Sequence, residues 1–219
     1  MLLPRNRFES IFGRGKPYIY IHTPKCGGSF VAKSFEKQRS KCPTMIWPEA
    51  RGHKTYIEHK KIFLDRGQDI HDYFIFALVR NPWAWHVSWY NYIKNDKGGL
   101  HSGHVLEAEL FEKYSFSDYL AWLVDPDARR SPQGYITRQL HEWVTDENGK
   151  VAVDLVVKNE ELNEKLYSFF KSEGVICSLP HGKINVSTED DYRKYYTDKE
   201  AEVIALRHSK DLDLFGYRF

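Results

Sequence analysis

The apolar positions of this chain fall into short blocks whose period changes repeatedly along the sequence. Residues 18–23 (YIYIHT) are aromatic and β-branched and lie between Pro17 and Pro24, the signature of a short buried strand. From Ser29 the segment SFVAKSFEKQ switches to helical spacing without breakers, so strand, glycine turn and helix follow in that order. Residues 44–47 read as a second short strand, and residues 53–64 alternate apolar and basic positions at helical spacing. Residues 73–79 (YFIFALV) are apolar throughout, as a strand covered on both faces must be, and this favours a parallel sheet. Asn81-Pro82 then opens a helix, with Pro82 suited to its first turn, and residues 83–93 continue it.

Residues 97–104, which carry glycine and histidine, read as a loop, and Ser115 to Asp118 as a helix start leading into YLAWLV. DENGK at 146–150 is a turn, 151–157 a further strand, and 160–171 a helix. The tail from 197 to 212 is helical in pattern, with Thr197 or Asp198 as its cap. Alternating strands and helices predict one layered α/β domain over residues 1–219.

Composition narrows the function classes. The chain is 42% hydrophobic and 28% charged, which is ordinary for a soluble protein, and its 15% aromatic content provides rings both for the core and for stacking on a base or sugar. A net charge of +2 is no polycation, so a nucleic-acid partner is not expected and any anion site must be local. Cys26, Cys42 and Cys177 are too few and too scattered for a disulfide framework or a zinc site, which suits a reducing compartment. Arginines and Glu9 interrupt the apolar runs at the N-terminus, and no run anywhere is long enough to span a bilayer. A cytoplasmic protein without a transmembrane segment is expected, and nothing in the pattern sets its oligomeric state.

Two clusters can carry chemistry. In HTPKCGGSF the glycines Gly27 and Gly28 let the backbone approach a ligand, Lys25 adds a point charge, and the Ser29 hydroxyl can donate to a phosphate oxygen. Taken alone, the same turn is also a common packing device. In VRNPWAWHVS, Arg80 leaves the C-terminal end of a central strand, and Ser88 follows eight positions later, two turns into a helix. An arginine there pairs as readily with a carboxylate. In a parallel sheet, however, both clusters emerge at one edge, where a ligand with two anionic ends could bridge them.

HTPKCGGSF followed by VRNPWAWHVSWY resembles the two cofactor motifs of the sulfotransferases that use PAPS (3′-phosphoadenosine 5′-phosphosulfate), in their carbohydrate-type branch, sulfotransferase family 2. The tail INVSTEDDYRKYYTDKEAEVIALRHSKDLDLFGYRF is similar to that family in its order of Asn, Ser, Tyr-Arg, Tyr-Tyr-Thr and a final Phe-Gly-Tyr, so the resemblance spans nearly the whole chain. It implies a P-loop NTPase-like three-layer domain with a central parallel sheet flanked by helices. It implies sulfuryl transfer from PAPS, with PAP as product, to a hydroxyl of a carbohydrate or another hydroxyl-bearing acceptor. The turn Lys25, Cys26, Gly27, Gly28, Ser29, Phe30 would wrap the 5′-phosphosulfate, with Lys25 assisting the leaving phosphate. Arg80 and Ser88 would hold the 3′-phosphate, and Ser187 and Arg193 in the tail would join the cofactor site. The missing G-x-x-x-x-G-K-[ST] spacing then makes sense, since there is no γ-phosphate or magnesium to accommodate.

The chain departs from that pattern at Cys26, where threonine is usual, at Ser29, a conservative exchange for threonine, and at Phe30, where serine is common. Trp85 stands at the family's second arginine, and Lys158-Asn159-Glu160 stands where Arg-aromatic-Glu is common, which takes away a ring for the adenine.

Attack by an alcohol needs a base. Arg51-Gly52-His53 resembles the family's Gly-His segment, and imidazole titrates near neutrality, so His53 is the expected base. His22 reads as structural, while His101 and His104 in the loop are weaker acceptor contacts, as are residues 95–109 and the rings of Trp122 and Tyr135. The HSGH pair lacks the spacing of a helical metal site, and no metal is expected. Two other readings remain open: a silent relative that binds PAP or a glycan without turnover, and a nucleotide phosphotransferase on the same fold. The latter needs a Lys followed by Ser or Thr, whereas Lys25 is followed by Cys26.

Overall fold

In the computed structural model, residues 16–96, 103–132, 134–172 and 191–219 are described. Phe74–Val79 (β2) is the middle strand of a three-stranded parallel sheet, flanked by Tyr18–Ile21 (β1) and Leu155–Lys158 (β3). Tyr18 pairs with Phe74 and Ile21 with Ala77 on one side of β2, and Phe76 pairs with Leu155 and Val79 with Lys158 on the other. Its continuous apolar run is explained by this central position: Ile75, Phe76, Ala77, Leu78 and Val79 are all buried. Asp154 fixes the start of β3, its carboxylate accepting from the Ile75 N–H at 2.7 Å while its own N–H donates to the Ile75 carbonyl at 2.8 Å.

Among the described residues the α-helices are Gly28–Ser34 (α1), Pro43–Ile46 (α2), Tyr56–Asp65 (α3), Pro82–Asn95 (α4), Val105–Phe111 (α5), Phe116–Val124 (α6), Leu162–Ser172 (α7), Asp198–Arg207 (α8) and Ser209–Phe215 (α9). Their starts follow local chemistry. Thr55, Ser115 and Thr197 each close a capping box with Glu58, Asp118 and Glu200, and the Asn81 side chain caps α4 ahead of Pro82.

The strand expected at 44–47 is instead the helical turn α2. Pro43 occupies its first position, and the Thr44 hydroxyl accepts from the Tyr20 N–H at 3.2 Å, so this turn satisfies the outer side of β1 without extending the sheet. The strand expected at 151–157 begins only at Leu155, and Val151 makes an isolated antiparallel bridge to Thr145 across the 146–150 turn. The tail helix breaks at His208 into α8 and α9.

Backbone contacts divide the chain into two compact units. One comprises residues 1–80 and 140–186 and contains the sheet; the other comprises residues 81–139 and 187–219 and is helical where described. No helix among the described residues is long and apolar enough to cross a membrane.

Candidate functional site

Because all three strands run in parallel, the residues that follow β1, β2 and β3 leave the sheet at one edge: His22 to Gly28, Arg80 and Asn159. These residues meet. The Arg80 Nη1 donates to the Lys25 carbonyl at 3.3 Å, and the Asn159 side-chain amide donates to the Cys26 carbonyl at 3.1 Å. The turn after β1 is therefore braced from the ends of both other strands.

Lys25 carries a φ of +60°, the one non-glycine residue in the left-handed region among those described. That conformation is uncommon for a side chain with a Cβ and persists where the surroundings impose it, most often at functional sites. The ammonium of Lys25 is held down to a pKa of about 8, first by burial and then by the Arg80 guanidinium. Two cations that repel one another beside a strained backbone form a place where a bound anion relieves repulsion.

The two glycines have packing reasons of their own. Gly27 has a φ of +99°, and a Cβ there would stand 2.8 Å from the Asn159 amide nitrogen. A Cβ on Gly28 would fall 1.8 Å from His22 Nε2, overlapping the edge of the imidazole ring. Close approach is needed here, but the approaching groups are Asn159 and His22 of the chain itself. The side chains of Cys26 and Phe30 are likewise buried in the core, so only their backbones face the turn, whereas Ser29 is exposed at the second position of α1. The Phe30 N–H donates to the Gly27 carbonyl at 2.9 Å.

His53 sits next to this turn. Its Nδ1 lies 2.9 Å from the His22 carbonyl, which can only accept, so Nδ1 carries the hydrogen and Nε2 is the basic nitrogen of the neutral ring. The two imidazole centroids are 4.2 Å apart, and Trp143 meets His53 edge-on at 6.5 Å. Burial, with the neighbouring His53, pushes His22 down to about 3, so His22 stays neutral and serves as a spacer stacked on Tyr20.

The remaining sequence candidates have surroundings of their own. Ser88 is buried on α4, in the helical unit, whereas Arg80 belongs to the sheet unit. Trp85 is fully buried on the same helix, edge-on to Trp89 and His208, so an arginine's charge there would be enclosed by rings. Arg193 is exposed, paired with Asp191 at 3.1 Å and stacked over the Tyr192 ring at 4.7 Å. Ser187, His101 and Cys177 lie outside the described residues. His104 is not an exposed loop residue; it is buried, 3.7 Å from the Glu107 carboxylate and edge-on to Trp89. Trp122 is also buried, its indole N–H donating to the Arg129 carbonyl, and Tyr135 is half-buried.

Sequence reasoning missed a cleft of 210 Å³ that opens beside the turn, lined by Tyr20, His22, Gly28, Arg39, Arg51 and Gly52 among others. Arg51-Gly52 adjoins His53 in the chain and could have signalled it; Arg39, in an amphipathic stretch full of charges, gives no sequence signal. No family model, no curated protein sequence and no solved structure matches the chain.

Proposed function

We propose that the chain is a PAPS-dependent sulfotransferase, built on a P-loop-type α/β domain, that moves a sulfuryl group onto a hydroxyl of a carbohydrate or other small acceptor. The observation that carries this reading is the meeting of Lys25 and Arg80 on the strained turn after β1, one residue pair away from a histidine whose tautomer is set. PAPS, when bound, supplies the activated sulfuryl group, and PAP is the leaving group. His53 Nε2 takes the proton of the acceptor hydroxyl as its oxygen forms the new bond to sulfur. Lys25 and the turn meet the negative charge released on the phosphate oxygen as the old sulfur–oxygen bond breaks. Arg80 is assigned to the 3′-phosphate, and it also braces the turn through the Lys25 carbonyl.

Isothermal titration calorimetry with PAP tests this directly. Saturable PAP binding is expected, and no binding of PAP combined with binding of ATP–Mg would sink the reading in favour of a phosphotransferase. Radiolabelled sulfate transfer from PAPS across an acceptor panel separates an active enzyme from a silent relative.

A further inference from the structure

Asn159 does more at the turn than fill space. It follows Lys158, whose pairing with Val79 fixes the end of β3, and it opens the short helical turn Asn159–Glu161 that leads into α7. From there its amide nitrogen donates to the Cys26 carbonyl at 3.1 Å, and it stands 2.8 Å from the place a Cβ on Gly27 would take. An asparagine is present here where the family resemblance leads one to expect an aromatic ring, so the contact comes from this chain's own departure from that pattern. The Cys26–Gly27 peptide needs such a contact. A peptide plane rotates as a unit, and half a turn exchanges the directions of its C=O and N–H while altering only ψ of the residue before and φ of the residue after. Glycine takes either sign of φ at little cost, so Gly27, at +99°, does not itself prevent the exchange. The preceding plane, between Lys25 and Cys26, is held by the Arg80 bond to the Lys25 carbonyl. The Asn159 bond holds the second one. With the Cys26 carbonyl turned to Asn159, the Gly27 N–H points the opposite way, because the two are antiparallel in a trans peptide.

We infer that Asn159 is a positioning residue for anion binding at this turn: it locks the Cys26–Gly27 peptide so that the Gly27 N–H, and not the Cys26 carbonyl, is presented to an anion held by Lys25. An N–H attracts an anion and a carbonyl repels it, so the orientation of this one peptide sets the sign of its contribution. Arg80 and Asn159 thus divide the work between two successive planes, and Asn159 has the softer one, since Gly27 follows it. Naming the anion the 5′-phosphosulfate rests on the sulfotransferase reading; the lock on the turn does not.

The probe is inorganic pyrophosphate, titrated into the isotope-labelled full chain with no sulfuryl donor or acceptor present and followed by NMR at the Gly27 amide. In the wild-type chain the Gly27 amide proton is expected to move downfield as pyrophosphate binds, the signature of an N–H that gains a charged acceptor. Asn159→Leu, which keeps a similar volume and removes the donor, should lose that response and bind pyrophosphate at least about tenfold more weakly, the equivalent of one charge-assisted contact. Thr55→Ala, which removes a cap on α3, should keep both, and so separates a lock on the turn from a general loss of stability. If the leucine variant does not fold, Asn159→Ala makes the same comparison. No Gly27 response in the wild-type chain, an unchanged response in a folded Asn159 variant, or an equal loss in Thr55→Ala overturns the inference. PAP titration of the same samples separates the two readings. A Gly27 response that depends on Asn159, without PAP binding, leaves the lock and removes the sulfotransferase; PAP binding without that response does the reverse.

Discussion

Lys25 combines three features rarely found on one lysine: a left-handed backbone, a half-buried ammonium and an arginine beside it. Each is unfavourable in the free protein, and each is offset by an anion. Because Lys25 titrates at about 8, PAP affinity should be full below pH 8 and fall as pH rises through it, by up to about tenfold per unit, since each step removes one bound proton. Calorimetry at pH 7 and pH 9 reads this, and Lys25→Arg should flatten the profile because a guanidinium does not titrate there. Arg80→Ala should cost roughly 3 kcal/mol or more of PAP binding, from two charge-assisted contacts at about 1.5–3 kcal/mol each. His53→Ala should leave PAP binding intact and abolish transfer. Full turnover in that variant would remove His53 as the base.

At the scale of elements, the turn between β1 and α1 shows how function and packing share the same residues. Gly28 leaves room for the His22 ring, and the His22 carbonyl in turn orients His53. Gly28→Ala should therefore destabilise the fold by about 2 kcal/mol or more and disturb the base, whereas Thr55→Ala, which removes a cap on α3, should cost about 1 kcal/mol and leave PAP binding unchanged. Urea unfolding paired with PAP titration distinguishes the two effects. The sheet was legible in the sequence because burial on both faces writes an unbroken apolar run, and the helix starts were legible because caps are local. The strand expected at residues 44–47 did not form because Thr and Ile suit a strand by composition, while the deciding facts, Pro43 in the first turn of a helix and a bond from the Tyr20 N–H, lie in geometry and in a partner 24 residues away. At the site, Lys25, Arg80 and His53 were legible as motifs. The brace by Asn159 and the cleft wall at Arg39 arise only when distant segments meet, and no local period encodes that.

At the scale of the whole molecule, each of the two units holds histidines that the fold keeps neutral. In the sheet unit, burial pushes His22 to about 3 and His59 to about 4; His59 is enclosed in α3 with both ring nitrogens lacking a partner. In the helical unit His86 is also driven well below its ordinary value, by burial first and then by His208 and Arg207. Its ring is held by Tyr119, whose hydroxyl lies 2.5 Å from His86 Nδ1, and by His208, whose Nε2 lies 2.8 Å from His86 Nε2, while His208 Nδ1 donates to the Asp211 carboxylate at 2.6 Å. A histidine whose pKa is lowered by folding binds its proton in the unfolded chain first. Stability is thus full above pH 6.5 and is lost as pH falls from there toward 4 and 3, by up to about 1.4 kcal/mol per pH unit for each such residue. Urea midpoints should drop steadily between pH 6.5 and pH 4 at constant slope against denaturant. His59→Met, which fills a similar space without a titrating ring, should reduce the pH dependence by about one proton and raise stability most at acid pH. An unchanged pH dependence in that variant would mean that His59 already holds a proton in the fold, contrary to its buried, unpartnered position.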